Sequence, residues 1–265
     1  MTRKIVFANQ KGGVGKTTSC INIAASLAKE GRKILCIDLD PQGNLTTYFG
    51  IDENEISDCN IYNALTGSVG LEKTIINKFG VDIVPSDIGL SDIDIELSTK
   101  ISRESILKSL IESEQIKNRS YDYILIDCNP SLSIVSTNAL VASNEVFIPM
   151  HAEYFALKGI ELLNNNIRKV RSINPDLKVT GVILTKYKSA VIAQQENLET
   201  VTSFFPDAVF KTKIRENTKI SESSAHGEPV IYFAPDCNGS LDYSSLALEI
   251  IKMENEYDNK EKKVG

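Results

Sequence analysis

The sequence predicts a doubly wound α/β fold, in which a mostly parallel β-sheet is covered by helices on both faces. Short segments rich in β-branched residues alternate with longer segments of helical periodicity. Two of the short segments, ILCID and YILIDC, are almost continuously apolar, as strands buried on both faces of a sheet are. No Pro/Gly/Ser-rich linker divides the 265 residues. We therefore predict a single domain over residues 1–257, followed by a charged, disordered tail over 258–265.

The elements of this fold are predicted from local patterns in chain order. Strands are expected where runs of β-branched and aliphatic residues end at turn-forming residues, namely at 4–8, 33–38, 81–85, 121–127, 145–150, 178–185 and, as a short strand, 208–211. Helices are expected where apolar residues recur every three to four positions, namely at 17–30, 93–116, 157–173 and 241–257. The first helix is followed by Gly31 and the third by Pro175, both typical of helix ends.

Composition and cysteine usage narrow the class of protein. No apolar run reaches the roughly 18 to 20 residues that a membrane span needs, and the first strand pattern starts at once, so we expect no signal peptide. The five cysteines are scattered without a C-x-x-C pair, which predicts reduced thiols in a cytoplasmic protein and argues against a metal cluster. The net charge of −6 argues against a surface covered with nucleic-acid contacts, although one basic face remains compatible with it.

The stretch NQKGGVGKTT at residues 9–18 predicts a phosphate-binding loop, because it follows a strand and opens a helix. Glycines let the backbone approach a phosphate, and the helix N-terminus favours anions. Lys16 would reach the β- and γ-phosphates, and the Thr17 hydroxyl would ligate Mg²⁺. The general pattern has glycine where Gln10 stands, and Lys11 is an additional cation. The alternative is a glycine-rich turn with an exposed lysine. The predicted nucleotide-binding residues are Lys11, Gly12, Gly13, Val14, Gly15, Lys16, Thr17 and Thr18.

Acidic residues follow two of the predicted buried strands. Asp127 ends the run YILID, and Asp38 and Asp40 follow ILCI. An acid at such a strand end would hold the water shell of Mg²⁺, and one of the pair could orient an attacking water. The alternatives are a helix cap for Asp127 and an Asx-type turn for the pair.

Four segments carry a resemblance to a known family: KGGVGKTT (11–18), IDLDPQGN (37–44), YDYILIDCNPSLS (121–133) and KTKIRENTKISESSAHGEPV (211–230). Together with the order of elements, they resemble the ParA/Soj family of DNA-partition ATPases, within the deviant-Walker group of P-loop NTPases. The resemblance covers nearly the whole chain and implies ATP and Mg²⁺ as cofactors. In that family the loop reads K-G-G-x-G-K-[ST], so Gln10 is no defect.

The resemblance also implies residue roles. The family's first lysine, matched by Lys11, crosses a dimer interface to the phosphates of the other subunit's ATP. A cation from each subunit stabilises two facing nucleotides only while the terminal phosphate is present. Asp40 would position the water, while Thr17, Asp38 and Asp127 would hold Mg²⁺, partly through water. An exposed, solvated lysine is the alternative for Lys11.

The function implied by the resemblance is an ATP-gated homodimeric switch. Hydrolysis would be weak and stimulated by a ParB-like, centromere-bound partner, with Lys11, Lys16 and Asp40 as the catalytic set. The dimer would bind DNA without sequence preference, in the cytoplasm on the nucleoid, and segregate a plasmid or a chromosome. The sequence does not distinguish plasmid from chromosome, and it names neither the partner, the adenine contacts nor any higher assembly.

The DNA-contacting residues are predicted from a local excess of positive charge. The segment from residue 178 to residue 219 contains seven basic and four acidic residues, an excess that could contact DNA phosphates. The candidates are Lys186, Lys188, Arg215 and Lys219. Soj-like members often carry a DNA-contacting arginine where this chain has Ala190, and Lys219 stands where a second one is often found. A solvated surface is the alternative explanation.

The chief alternative function is that of a MinD-like, membrane-cycling ATPase that regulates division or positioning. Such a role needs a C-terminal amphipathic helix with bulky apolar residues and a basic face. The C-terminal sequence IIKMENEYDNKEKKVG mixes acids with lysines and has no bulky apolar stripe after Met253. We therefore predict no membrane partner.

Overall fold

The fold of the computed structural model is a single β-sheet between two layers of helices, and it is described for residues 2–56, 58–129, 133–151, 156–188 and 191–261. Within these residues the sheet has seven strands: β1 (Arg3–Phe7), β2 (Ile34–Leu39), β3 (Ile76–Lys78), β4 (Val81–Val84), β5 (Tyr123–Cys128), β6 (Glu145–His151) and β7 (Lys178–Thr185). Their spatial order is β3–β4–β2–β5–β1–β6–β7. All pairs are parallel except β3 with β4, which confirms the predicted fold class.

Helices connect the strands and continue after the last one. They are α1 (Lys16–Lys29), α2 (Asn44–Tyr48), α3 (Glu53–Ile56), α4 (Ile61–Thr66), α5 (Ile93–Leu97), α6 (Ile106–Ile111), α7 (Glu114–Lys117), α8 (Ile134–Ala142), α9 (Ala156–Val170), α10 (Ile192–Phe204), α11 (Thr218–Ala225), α12 (Val230–Phe233) and α13 (Asn238–Glu261). The last helix extends beyond the predicted range of 241–257. No helix among the described residues combines the length and apolarity needed to cross a bilayer.

The sheet is buried on both faces, as the apolar strand sequences predict. Along β1, Val6 belongs to one core cluster, while its neighbours Ile5 and Phe7 belong to the other. One face is covered by α1, α12 and α13, and the other carries α4 to α9. This two-layer burial fixes the ends of the central strands, and so the loops that follow them.

The predicted helix at 93–116 is wrong as a continuous element. It is divided into α5, a 3₁₀ turn at Arg103–Ser105, α6 and α7. Ser102 has a φ of 53°, a left-handed value that a continuing α-helix excludes. Asn138 of α8 then holds the new start, since its side chain donates to Arg103 O at 2.7 Å and accepts from Leu107 N at 3.0 Å.

The predicted strand at 208–211 is also wrong. Only Val209 forms a bridge, with Val182 of β7. The amides of Lys211 and Thr212 instead donate to the Glu249 carboxylate of α13, at 2.8 and 2.9 Å. Because the Glu249 carboxylate binds these two backbone amides, they do not pair with a neighbouring strand, and the predicted strand does not extend. Conversely, the short antiparallel strand β3 at the sheet edge was not predicted.

Gly181 provides a test of the packing between β6 and β7. A Cβ on Gly181 would lie 2.5 Å from the ring of Phe147 and 2.6 Å from that of Phe210. These two rings are in edge-to-face contact, with centroids 5.2 Å apart. We expect Gly181→Ala to lower the free energy of unfolding by about 1 to 3 kcal/mol, measured by urea denaturation. Gly12→Ala is the control, because a Cβ there meets nothing within 4 Å in the part of the chain that the structure describes. Equal stability of both variants would contradict this packing.

Candidate nucleotide site

The loop between β1 and α1 has the backbone shape of an anion cradle. Gly13 and Gly15 have φ values of 71° and 85°, which glycine adopts without strain. The entry to the loop is fixed by Asn9, whose side chain donates to Pro149 O at 2.8 Å and accepts from Lys11 N at 3.0 Å. α1 then starts at Lys16, so that the loop ends at a helix N-terminus.

Lys16 lies at the centre of this loop. Its side chain is buried, and its Nζ donates to the carbonyl oxygen of Lys11 at 3.4 Å. A buried ammonium held by one long hydrogen bond retains donors for a phosphate. Lys11 itself is exposed, as its predicted role across an interface requires. The two predicted lysines therefore occupy different environments on one loop.

Thr185 is a contact of the loop that the sequence did not reveal. It ends β7, and its Oγ1 donates to the carbonyl oxygen of Val14 at 2.9 Å. Its Cγ2 would contact a Cβ added at Gly15, at 3.5 Å. The only signal in the sequence was its position at the carboxyl end of a predicted parallel strand, which is where α/β sheets bind ligands.

Two predicted acids, Asp38 and Asp127, lie side by side at the end of the sheet. They are register partners on β2 and β5, and both are fully buried. The Asp38 carboxylate accepts from Thr46 N at 2.9 Å, Thr46 Oγ1 at 2.8 Å and Asp40 N at 3.1 Å. Burial nevertheless raises the pKa of Asp38 to about 6, against the opposing effect of these hydrogen bonds.

Asp127 is the less compensated of the two. Neither of its buried carboxylate oxygens has a hydrogen-bond partner among the described residues. Burial raises the pKa of Asp127 well above its usual value, and the Asp38 charge adds to the rise, while Thr17 and Lys16 oppose it. Two buried, unpartnered oxygens beside a hydroxyl are donors that suit Mg²⁺, which binds through one or two carboxylates together with water and phosphate. Within the described part of the chain, no cluster of three or more His, Cys, Asp or Glu could hold an ion by itself.

Asp40 combines the predicted catalytic position with the alternative interpretation as a turn residue. Its Oδ1 accepts from Gln42 N at 3.0 Å, which is an Asx-type turn. It also lines the same cavity as the phosphate loop. The turn therefore fixes a carboxylate at the cavity wall.

The cavity has a volume of about 700 Å³, within the range of small-molecule sites. Its floor is the predicted loop, residues 12–18, and one wall comprises Asp40, Asn44, Thr47 and Tyr48. The other wall was not predicted as nucleotide-contacting: Thr185, Lys186, Ile214, Arg215, Glu216, Asn217, Thr218, Ile220, Ser221, Ser224 and Tyr243, with His151 beside them. Most of it belongs to the segment 211–230, which was identified by resemblance without a role for each residue.

Of the four predicted DNA contacts, Lys186 and Lys188 follow β7, Arg215 pairs with Tyr187 between them, and Lys219 lies near the start of α11. Three of the four form ion pairs within the chain. Lys188 pairs with Glu216 at 2.5 Å, Arg215 with Asp242 at 2.6 Å, and Lys219 with Glu222 at 2.5 Å. Lys186 is exposed, with a φ of 50°. The position of the missing arginine, Ala190, is outside the described residues.

The chain is similar to known proteins over most of its length. A family model described as an AAA domain matches residues 2–179. The chain is 40% identical over 254 residues to the chromosome-partitioning ATPase Soj of Treponema pallidum, covering 95% of this chain and 98% of that one. It is 39% identical over 255 residues to the sporulation initiation inhibitor protein Soj of Bacillus subtilis, covering 94% and 98%.

Two solved structures share the fold over nearly the full chain. A plasmid partition protein of Borrelia burgdorferi bound to AMPPNP has a TM-score of 0.78 at 31% identity, covering 96% of this chain and 100% of that one. Cobyrinic acid a,c-diamide synthase of Mycobacterium smegmatis, with bound ADP and magnesium, has a TM-score of 0.82 at 29% identity, covering 96% of both chains.

The parallel sheet, the glycine-rich loop and the two strand-end acids define a P-loop protein of the α/β class. The full-length matches then identify the branch. The chain belongs to the ParA/Soj family of partition ATPases.

The charge at Asp127 gives a testable consequence for the nucleotide-free, metal-free protein. Because its folded pKa is raised, the ionised form costs stability above that pKa, and the cost disappears as the pH falls and the carboxyl takes up a proton. We expect Asp127→Asn to raise the free energy of unfolding at pH 8 by about 1 to 3 kcal/mol, and the gain to shrink toward pH 5. Urea unfolding measures both.

Asp92→Asn is the matched control for this prediction, because Asp92 is exposed. It should leave stability unchanged at both pH values. If Asp127→Asn were destabilising at pH 8, the buried carboxylate would have a partner in the folded protein, and the metal site would be assigned wrongly.

Proposed function

We propose that this chain is an ATP-driven DNA-partition switch. It binds ATP with Mg²⁺, forms a homodimer across two nucleotides, and in that state binds DNA without sequence preference. A ParB-like partner bound at a centromere stimulates its slow hydrolysis and so releases it. In this way it segregates a plasmid or a chromosome, working in the cytoplasm on nucleoid DNA. The observation that carries the proposal is a glycine-rich loop with two lysines beside an acid whose buried oxygens lack a hydrogen-bond partner among the described residues.

ATP and Mg²⁺ are supported by the chemistry of the cavity. The left-handed glycines and Lys16 suit a triphosphate. Asp127, Asp38 and the Thr17 hydroxyl are hard oxygen donors that suit Mg²⁺. Two structural relatives were solved with a bound nucleotide, one with AMPPNP and the other with ADP and magnesium.

The chain's own residues account for slow hydrolysis. Lys16 holds the terminal phosphates, and Asp40, fixed by its turn, orients the attacking water. When bound, Mg²⁺ neutralises charge on the phosphate oxygens. Lys11 of a second copy supplies the remaining cation, so that one copy alone has an incomplete site. Hydrolysis is therefore limited by dimer formation and by the partner that completes the site.

Dimerisation is supported by the open side of the loop. Among the described residues, a Cβ added at Gly12 or Gly13 would meet nothing within 4 Å, and Lys11 is exposed beside them. A second chain can therefore approach the nucleotide from this side. The repulsion between two facing sets of phosphates requires cations at the interface, and Lys11 is positioned to provide one from each copy.

DNA binding is supported by the basic residues on the β7 side, together with their ion pairs. Exposed pairs such as Lys188–Glu216 and Lys219–Glu222 contribute little to stability. DNA phosphates can therefore displace the acids. This competition makes binding by the monomer weak, and a dimer that presents two such faces would bind more tightly.

The two lysines of the loop should be separable by mutation. We expect Lys16→Ala to lose ATP binding, because it removes the cation at the centre of the cradle. Lys11→Ala should retain ATP affinity within about threefold but remain monomeric, because its phosphate partner belongs to the other copy. Fluorescent-nucleotide titration and analytical ultracentrifugation with Mg-AMPPNP measure the two effects. A Lys11→Ala protein that dimerises normally would refute the interface role.

The DNA role is tested by titrating a random-sequence duplex with ATP, ADP or no nucleotide, beside liposome sedimentation. The partition role predicts ATP-dependent DNA binding without lipid binding. Lipid binding without DNA binding would favour the membrane-cycling alternative. Lys219→Ala should weaken binding equally on all sequences and lower the salt slope by about one. Lys73→Ala, near the opposite edge of the sheet, is the control and should leave the slope unchanged. A sequence-selective loss in Lys219→Ala would exclude a phosphate contact.

A further inference from the structure

Tyr48 is a buried tyrosine whose hydroxyl lies where three helices meet. Its side chain ends α2, lines the nucleotide cavity and is almost fully buried. Its Oη is 2.7 Å from Ser223 Oγ and 3.1 Å from Ile220 O, both in α11. It also accepts from Asn22 Nδ2 of α1 at 3.3 Å. One hydroxyl therefore joins α1, α2 and α11.

Asn22 extends this junction toward the phosphate loop. Its Nδ2 donates to the carbonyl oxygen of Thr18, the last residue of the predicted loop, at 2.8 Å. Its Oδ1 accepts from Val230 N of α12 at 2.8 Å. Every polar atom of the Asn22 side chain is thus used to connect the loop with the layer that contains α11 and α12.

The middle of α2 connects to the buried acid Asp38. Thr46 donates both its amide and its hydroxyl to Asp38, at 2.9 and 2.8 Å. α2 has only five residues, so Thr46 and Tyr48 are two positions apart on one short, stiff element. The position of α2, and of Tyr48 with it, is therefore tied by two hydrogen bonds to Asp38.

A backbone contact also brings the ends of α2 and α11 close together. Gly50 follows α2 and Gly227 follows α11, both with a φ of 66°. A Cβ on Gly50 would lie 3.0 Å from Gly227 O, and one on Gly227 would lie 2.9 Å from Gly50 Cα. The two backbones are therefore tightly packed at this point, so that α2 and α11 are direct neighbours.

We propose that the Tyr48 hydroxyl is a positioning group that transmits the nucleotide state from Asp38 and the phosphate loop to α11. The path is Asp38, Thr46, Tyr48, Ser223, and then the first turn of α11, where Lys219 lies. When Mg-nucleotide binds, these residues become ordered, and α11 is held in one position both where it lines the cavity and where it faces solvent. For its effect on DNA, the inference rests on the proposed function, since Lys219 is the proposed phosphate contact.

The test compares Tyr48→Phe with Tyr232→Phe. The first variant keeps the ring and removes the hydroxyl that joins the three helices. The second removes a hydroxyl with one long contact, to Phe79 O at 3.4 Å. Hydrogen exchange of the α11 amides is measured with and without Mg-AMPPNP. Wild type and Tyr232→Phe should show slowing of about tenfold on binding, and Tyr48→Phe should lose most of it while still binding the nucleotide.

A second readout is the ratio of DNA affinities with Mg-AMPPNP and Mg-ADP. We expect Tyr48→Phe to lower this ratio at least about fivefold, chiefly by weakening the Mg-AMPPNP state. If wild type binds no DNA in either state, the proposed function fails, and the exchange measurement still decides the inference. Full nucleotide-dependent protection of α11 in Tyr48→Phe overturns it. If that variant does not fold, Ser223→Ala removes the closer of the two α11 partners of the Tyr48 hydroxyl, and the same two outcomes apply to it.

Discussion

Two buried carboxylates at adjacent strand ends are the constraint on which the rest of this structure depends. The parallel register of β2 and β5 puts Asp38 directly beside Asp127, in a region where charge is costly. Asp38 is compensated by three hydrogen bonds, but the oxygens of Asp127 have none among the described residues. The apo fold therefore carries an electrostatic cost that a bound cation would remove. In the proposed function, the loop with Lys16 and Thr17 would bring that cation together with its nucleotide.

The same constraint links chemistry to the surface. The Asp38 carboxylate accepts hydrogen bonds from the amide of Asp40, in the segment that leads into α2, and from the amide and hydroxyl of Thr46 in α2. A change in the charge or ligation of Asp38 would therefore act on α2, the short helix that is hydrogen-bonded to α11 through Tyr48. A switch needs an element with two arrangements, one of which the ligand favours. In this fold, α2 contacts the buried Asp38 and α11 contains the basic residue Lys219.

Local signals in the sequence were sufficient for the strands of the central sheet, for the placement of the glycine-rich loop between β1 and α1, and for the positions of the acids at strand ends, because each depends on neighbouring residues. Features set by distant side chains were not accessible. The break at Ser102 depends on Asn138, and the loss of the strand at 208–211 depends on Glu249. The role of Thr185 depends on Val14, which lies 171 residues earlier in the chain. Likewise, charge counting found the basic residues on the β7 side but not the acids that pair with them, since pairing is a tertiary property.

The most direct measurement is the proton balance of nucleotide binding, obtained by calorimetry near pH 6 in buffers of different ionisation enthalpy. The nucleotide is saturated with Mg²⁺ beforehand, so that its own protonation is constant. Because burial raises the pKa of Asp38 to about 6 and that of Asp127 well above its usual value, a cation at this site should lower both and release protons. The account predicts net proton release by wild type and a smaller release by Asp127→Asn. Binding without any proton release would show that the buried acids do not meet the metal, and it would contradict the central claim.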